Sequence, residues 1–145
     1  MDNWCWAATS TSVSHYYDTS SAWTQCAVAT SCLAPERCCE AAKPCDIPYR
    51  LDLALQATAN LRRMVSKSLP FEDLVTEIDA GAPVCCHIAW SGGGGHFVAV
   101  IGYDSTNEDV DVADPYYGPS TIPVSTFESS YRSSGRWGYS YLTES

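Results

Sequence analysis

Val84-Cys85-Cys86-His87-Ile88-Ala89-Trp90, then Ser91-Gly92-Gly93-Gly94-Gly95, then His96-Phe97-Val98-Ala99-Val100-Ile101-Gly102-Tyr103: this stretch decides the fold. Two apolar runs, rich in β-branched and aromatic residues, flank a short glycine-rich link. They predict an antiparallel hairpin with strands at Val84–Trp90 and Phe97–Tyr103 and a mobile lip at its tip. The four glycines do not form a phosphate cradle, because no Gly-Lys-Ser/Thr follows and the next element is a strand. Asp104–Asp109 is a polar turn, Val110–Ala113 predicts a further strand, and Trp137–Leu142 predicts the last one.

Before Val84 the pattern is helical. Cys5 to about Asp18 predicts a helix with Ala7, Ala8, Ser12, Val13 and Tyr16 on its buried face. A second helix is expected over Pro48–Ala59, carrying Leu51 and Leu55. A third is expected over Leu69–Ala80, with Pro70, Glu72 and Asp73 in its first turn and Gly81 as its stop. Residues 19–47 read as irregular structure with short helical turns. The class is therefore α+β: one domain over residues 1–145, with a helical lobe (1–81), an antiparallel sheet lobe (82–145) and a cleft between them.

Composition narrows the function. The chain has 145 residues, 17 Asp+Glu against 8 Lys+Arg, and a net charge of −9. Such a surface repels phosphate backbones and anionic lipid, so neither a nucleic acid nor a membrane is expected as partner. No apolar run approaches the roughly 20 residues that span a bilayer. Aromatics at 12% argue against an acidic disordered tail, and the expectation is a compact, soluble, acidic domain.

Eight cysteines occur, five of them between Cys26 and Cys45. This density points to disulfides or inert buried thiols in a secreted chain. The spacings give no CxxC pair and place no histidine nearby, so no metal site is expected, and no cofactor motif is present. Cys85 and Cys86 read as small buried side chains. Met1-Asp2-Asn3-Trp4 lacks the basic start and apolar run of an export signal. The reading is a domain carried by a larger secreted or delivered protein.

Cys5 is the candidate nucleophile. It opens the first helix, where unpaired amides and the helix dipole favour negative charge, and the thiolate is the reactive form of cysteine. A bridged structural cysteine is the competing reading at this position. Of three histidines, His15 lies ten residues along the same helix, about 15 Å away, and reads as a surface or core residue. His87 sits inside a strand and reads as a packed, hydrogen-bonded ring. His96, at a strand start beside glycines that admit a substrate backbone, suits acid–base work. Folding back at the 104–109 turn brings Asp114 near His96, where a carboxylate can fix the imidazole tautomer.

Asn3-Trp4-Cys5-Trp6-Ala7-Ala8-Thr9, Gly95-His96-Phe97-Val98 and Val112-Ala113-Asp114-Pro115 together resemble the papain-like cysteine peptidases. The similarity is greatest to the compact bacterial group with a C39-like fold, effectors among them. Thr24-Gln25-Cys26, Cys38-Cys39, Gly81-Ala82-Pro83-Val84 and Trp137 agree with it. The resemblance implies a nucleophile helix packed on a sheet, Cys5 as nucleophile, His96 as base then acid, Asp114 as orienting residue, and Trp137 shielding the His–Asp bond. It implies hydrolysis of peptide bonds in a protein substrate, as the toxin or effector domain of a secreted or delivered bacterial protein. A cognate immunity or inhibitor protein would cover the cleft. Amide hydrolysis of peptidoglycan, transpeptidation, or an inactive binding module are the alternatives on the same scaffold. One departure stands out: no glutamine precedes Cys5, where papain-like enzymes carry an oxyanion donor. The favoured reading is a chain that starts downstream of that glutamine; the alternatives are another donor, with the Cys5 amide and Asn3 as candidates, or a degraded enzyme.

Overall fold

The computed structural model describes residues 1–145. The chain divides into two compact units, Met1–Leu61 with Glu144–Ser145, and Arg62–Thr143.

The first unit holds three α-helices, α1 (Cys5–Tyr17), α2 (Gln25–Cys32) and α3 (Leu51–Ala57), and a 3-10 turn at Lys43–Cys45. Each helix packs on the other two around Trp6, Ala7, Val13, Val28, Ala29, Leu51, Ala54 and Leu55. The inner face of α1 is Trp6, Ala7, Thr9, Ser10, Val13 and Ser14. Ser12 and Tyr16, expected inside, are exposed. The difference arises because small hydroxyls serve as interior residues here. Ser10 Oγ donates to the Ala54 carbonyl (2.9 Å) and lies 3.3 Å from Thr58 Oγ1, while Ser14 and Ser21 hydroxyls pair at 2.7 Å. A satisfied hydroxyl takes little space, so backbones approach closely without an orphaned polar group.

The segment expected to be irregular contains α2. Thr24 caps it, its Oγ1 accepting from Ala27 N at 3.2 Å. The disulfide Cys26–Cys39 then ties α2 to the following loop, and Cys38–Cys45 closes that loop on the 3-10 turn. Adjacent cysteines 38 and 39 make the two bridges a continuous staple. α3 begins at Leu51, later than expected, after the extended Arg50.

The second unit is built on a sheet of six strands: β1 (Leu61–Val65), β2 (Val84–Trp90), β3 (Gly95–Asp104), β4 (Asp109–Ala113), β5 (Ser120–Pro123) and β6 (Gly135–Thr143). Their order is β1-β6-β2-β3-β4-β5. The pairs β2–β3, β2–β6, β3–β4 and β4–β5 are antiparallel. The hairpin is as the sequence predicts, except that β3 starts at Gly95, so residues 91–94 alone form its tip. Gly93 (φ 99°) and Gly94 (φ 82°) hold the left-handed conformations this tip needs.

One face of the sheet, with α4 (Phe71–Asp79) and α5 (Val124–Ser130), encloses a core of Leu74, Val84, Cys86, Ile88, Val98, Val100, Val112, Phe127, Trp137 and Leu142. α4 thus shares the sheet unit's core through Leu74. On the other face Cys85, Phe97, Ala99 and Tyr141 are also buried. No helix is long and apolar enough to cross a membrane.

Candidate active site

His96 lies in β3 opposite Ile88, one residue inside the strand. Strand alternation puts it on the same face as Val98 and Val100. β4 returns with Val112 opposite Val100, and Asp114 follows one residue past its end. This register brings His96 Nε2 to 2.8 Å from Asp114 Oδ1, with the two side chains 8% and 0% exposed. An ionised carboxylate only accepts, so Nε2 carries the ring proton, and Nδ1 is the nitrogen that can exchange a proton with a thiol.

Asp114 is held as an anion. Burial alone pushes its carboxyl up, but donors outweigh that. His96, Tyr131, Tyr117 and Tyr116 all donate to it and bring it down to about 2. Oδ1 accepts from the backbone amides of Tyr116 (2.8 Å) and Tyr117 (2.9 Å), and Oδ2 accepts from Tyr131 Oη at 2.6 Å. The Pro115 turn supplies the two amides, forming an Asx-type loop around the carboxylate.

Tyr131 went unread in the sequence. Its side chain is 1% exposed, and burial followed by the bond to Asp114 raises its hydroxyl to about 12. It sits at the end of α5, where the chain turns into β6. Tyr131 and Gly135 exchange backbone bonds at 2.8 and 2.7 Å. Gly135 is required there: a Cβ would come within 2.5 Å of Ile88 and 2.8 Å of Trp90.

The aromatic neighbour of His96 is Trp90, not Trp137. The Trp90 ring stacks on His96 at 5.9 Å and on Tyr131 at 6.3 Å. Tyr117 meets His96 edge-on at 6.1 Å. Trp137 instead packs on Phe127 in the core, its indole donating to Tyr139 O and Ser140 Oγ. Only the resemblance puts it at the His–Asp bond; Trp137 shares the cross-strand row of His96, but Ile88, paired with both, stands between them.

The other two histidines are not at this pair. His15 Nε2 bonds to the Trp23 carbonyl at 2.8 Å. His87 lies among Phe97 and Tyr139 and over Gly95, which has no Cβ to obstruct it; burial and then the neighbouring His96 lower its pKa.

In the first unit, Cys5 is the first residue of α1, half-buried and in neither disulfide. Helix geometry leaves the first-turn amides without intrahelical acceptors, and these point toward any charge at the helix start. Residues 45–47 fix the segment around Cys5. Asn3 N donates to Asp46 Oδ1 (2.9 Å) and Asn3 Nδ2 to Asp46 O (3.2 Å). The indoles of Trp4 and Trp6 donate to Cys45 O (2.7 Å) and Ile47 O (2.9 Å). Trp4 and Trp6 are therefore structural anchors, buried at 7% and 0% exposure. The remaining free thiols are Cys32, Cys85 and Cys86. Burial pushes all three up, Cys85 to about 12.

A cysteine opening a helix and a histidine held by a buried carboxylate are the parts of a thiol hydrolase. Residues 1–139 match the profile of the Peptidase_C39-like family. The chain belongs to that family. A Peptidase_C39-like chain is a papain-like cysteine peptidase, a hydrolase acting on protein substrates. N-terminal helices and a six-stranded antiparallel sheet accord with that fold. No curated protein matches the chain.

Proposed function

We propose that the chain hydrolyses peptide bonds with Cys5 as nucleophile, His96 as base then acid, and Asp114 as the residue that orients His96. Cys5 Sγ gives its proton to His96 Nδ1 and attacks the scissile carbonyl carbon. His96 returns that proton to the leaving amine, and the C–N bond breaks to leave a thioester on Cys5. Water, losing a proton to His96, then attacks the thioester and releases the acid and the thiol. The oxyanion takes hydrogen bonds from the Cys5 backbone amide and from Asn3 Nδ2, which gives one hydrogen to Asp46 and has a second to offer.

The observation that carries this reading is the buried His96–Asp114 pair: a carboxylate accepting from Nε2 supports proton exchange at Nδ1. Membership of a peptidase family supports the nucleophile, since Cys5 is the free cysteine that opens a helix. The biological setting we propose is a toxin or effector domain of a bacterial protein, secreted or delivered into a target cell and restrained by a cognate inhibitor. Two disulfides suit such an oxidising route.

The test is turnover. Purified wild type, Cys5→Ala, His96→Ala and Asp114→Ala are incubated with a denatured protein and, separately, with peptidoglycan. Protein cleavage by wild type alone supports the proposal. Muropeptide release without protein cleavage would assign the site to wall amide hydrolysis, and no turnover of either would leave a binding module.

A further inference from the structure

The turn beside the histidine–aspartate pair holds an arginine in an uncommon conformation. Tyr131-Arg132-Ser133-Ser134 closes with Ser134 N donating to Tyr131 O at 3.2 Å, and both central residues are left-handed, Arg132 at φ 49° and Ser133 at φ 76°. This is a hairpin turn that ordinarily takes Asn and Gly. Side chains with a Cβ persist there only when their surroundings impose it, and such positions cluster at functional sites. The imposition is visible in Gly135, wedged against Ile88, Trp90 and the Tyr131 carbonyl.

The turn delivers the Arg132 guanidinium onto the Tyr117 ring, 4.3 Å from its centroid, with the Tyr131 ring at 5.9 Å. Both tyrosines belong to the His96–Asp114 assembly, Tyr117 through its amide and its edge-on contact, Tyr131 through its phenol. Arg132 is exposed and forms no ion pair. Lys43, Arg63, Lys67 and Arg136 are likewise without an ion pair, so what distinguishes Arg132 is its seat on the tyrosines of the His96–Asp114 assembly. Asp114 is the carboxylate at this place, and it is fully covered, with four donors already on its oxygens. The guanidinium carbon sits over the Tyr117 ring with one donor turned to the Tyr131 hydroxyl, and its remaining N–H groups offer the fork that fits a carboxylate.

We propose that Arg132 selects the substrate by pairing with an acidic side chain within about two residues of the scissile bond. The inference rests on the peptidase reading above. A leaving amine that takes its proton from His96 lies against that ring, and the adjoining residues run on at about 3.3–3.6 Å each. One aromatic layer, Tyr117, separates Arg132 from His96. The exposed Tyr116 and Tyr117 rings, 4.8 Å apart, extend the same platform. The overall charge of −9 repels acidic peptides, so their selection needs a local cation.

A mixed peptide library digested by wild type, with cleaved bonds read by mass spectrometry, locates the site. Isosteric peptides carrying Glu, Gln or Lys at each flanking position then give kcat and KM. The expected result is a preference for Glu over Gln of about tenfold at one position, expressed mainly in KM. Arg132→Gln abolishes that preference, Arg132→Lys keeps part of it, and Arg132→Glu turns it toward the Lys peptide. A merely supporting role for Arg132 would lower kcat for all three peptides alike. Equal kcat/KM for Glu, Gln and Lys at every position, with cleavage still lost in Cys5→Ala, overturns this inference alone. Cleavage unaffected by Cys5→Ala overturns the peptidase reading and the inference with it.

Discussion

The phenol of Tyr131 donates to Oδ2 of Asp114 at 2.6 Å while His96 occupies Oδ1, so the carboxylate is gripped on both oxygens. The grip has two consequences. It keeps Asp114 ionised and aimed at the imidazole, and it makes the ring orientation depend on a residue 17 positions further along the chain. Trp90, stacked on both rings, closes the assembly on one side.

Tyr131→Phe is expected to keep the packing and lose the bond. Removing one donor from a buried carboxylate costs about 1–3 kcal/mol of stability. Looser control of His96 lowers kcat roughly tenfold, equivalent to about 1.4 kcal/mol in the barrier. Denaturant melts and steady-state kinetics check both, and the loss should fall on kcat with KM little changed.

Stability should depend on pH through the same two groups. Asp114 has its pKa depressed from 3.8 to about 2, so it stabilises the fold above the ordinary value and that contribution vanishes as pH falls through about 2. Tyr131 is raised from 10.0 to about 12, so its contribution is complete below pH 10 and vanishes as pH rises through about 12. Each shift corresponds to about 2–3 kcal/mol. Melting temperatures of wild type and Tyr131→Phe should diverge most near neutrality and converge toward pH 12.

The loop that anchors Asn3, Trp4 and Trp6 is stapled by Cys38–Cys45, a bridge spanning seven positions. Replacing both cysteines by serine should cost about 2 kcal/mol through chain entropy alone. It should also lower peptidase activity beyond what that loss explains, because Cys45 O, Asp46 and Ile47 O hold the residues flanking Cys5. The Cys26→Ser, Cys39→Ser double variant is the control, since its bridge ends on Cys39 and leaves 45–47 tied. Comparable activity in both variants at matched stability would contradict the positioning role of this loop.

Much of this was legible before any coordinates. The glycine-linked apolar runs gave the hairpin, and the polar turn at 104–109 gave the return that sets Asp114 beside His96. What escaped has identifiable causes. α2 hides in a Ser/Thr/Ala/Cys segment whose helix depends on the Thr24 cap and the Cys26–Cys39 bridge more than on an apolar stripe. β1, β5 and α5 are short and carry weak periodicity. Tyr131 could not be read, because its turn uses Arg132 and Ser133 at left-handed positions where sequence leads one to look for glycine or asparagine. Trp90 was hidden by its place as the last residue of β2, where strand periodicity gives no hint of a ring stacked on His96.

Thiol reactivity separates the cysteines. Native protein treated with iodoacetamide and mapped by mass spectrometry should carry label on Cys5, with Cys85 and Cys86 unmodified until the protein is unfolded. Burial raises both of those thiols, Cys85 to about 12, and denies the reagent access.

The most direct measurement of the central claim is the rate of Cys5 alkylation by iodoacetamide at pH 6 in wild type and in His96→Ala, with folding verified for both. If His96 takes the thiol's proton, Cys5 in wild type reacts much faster than a small-molecule thiol, and the substitution slows it at least about tenfold. Equal rates in the two proteins would contradict the account.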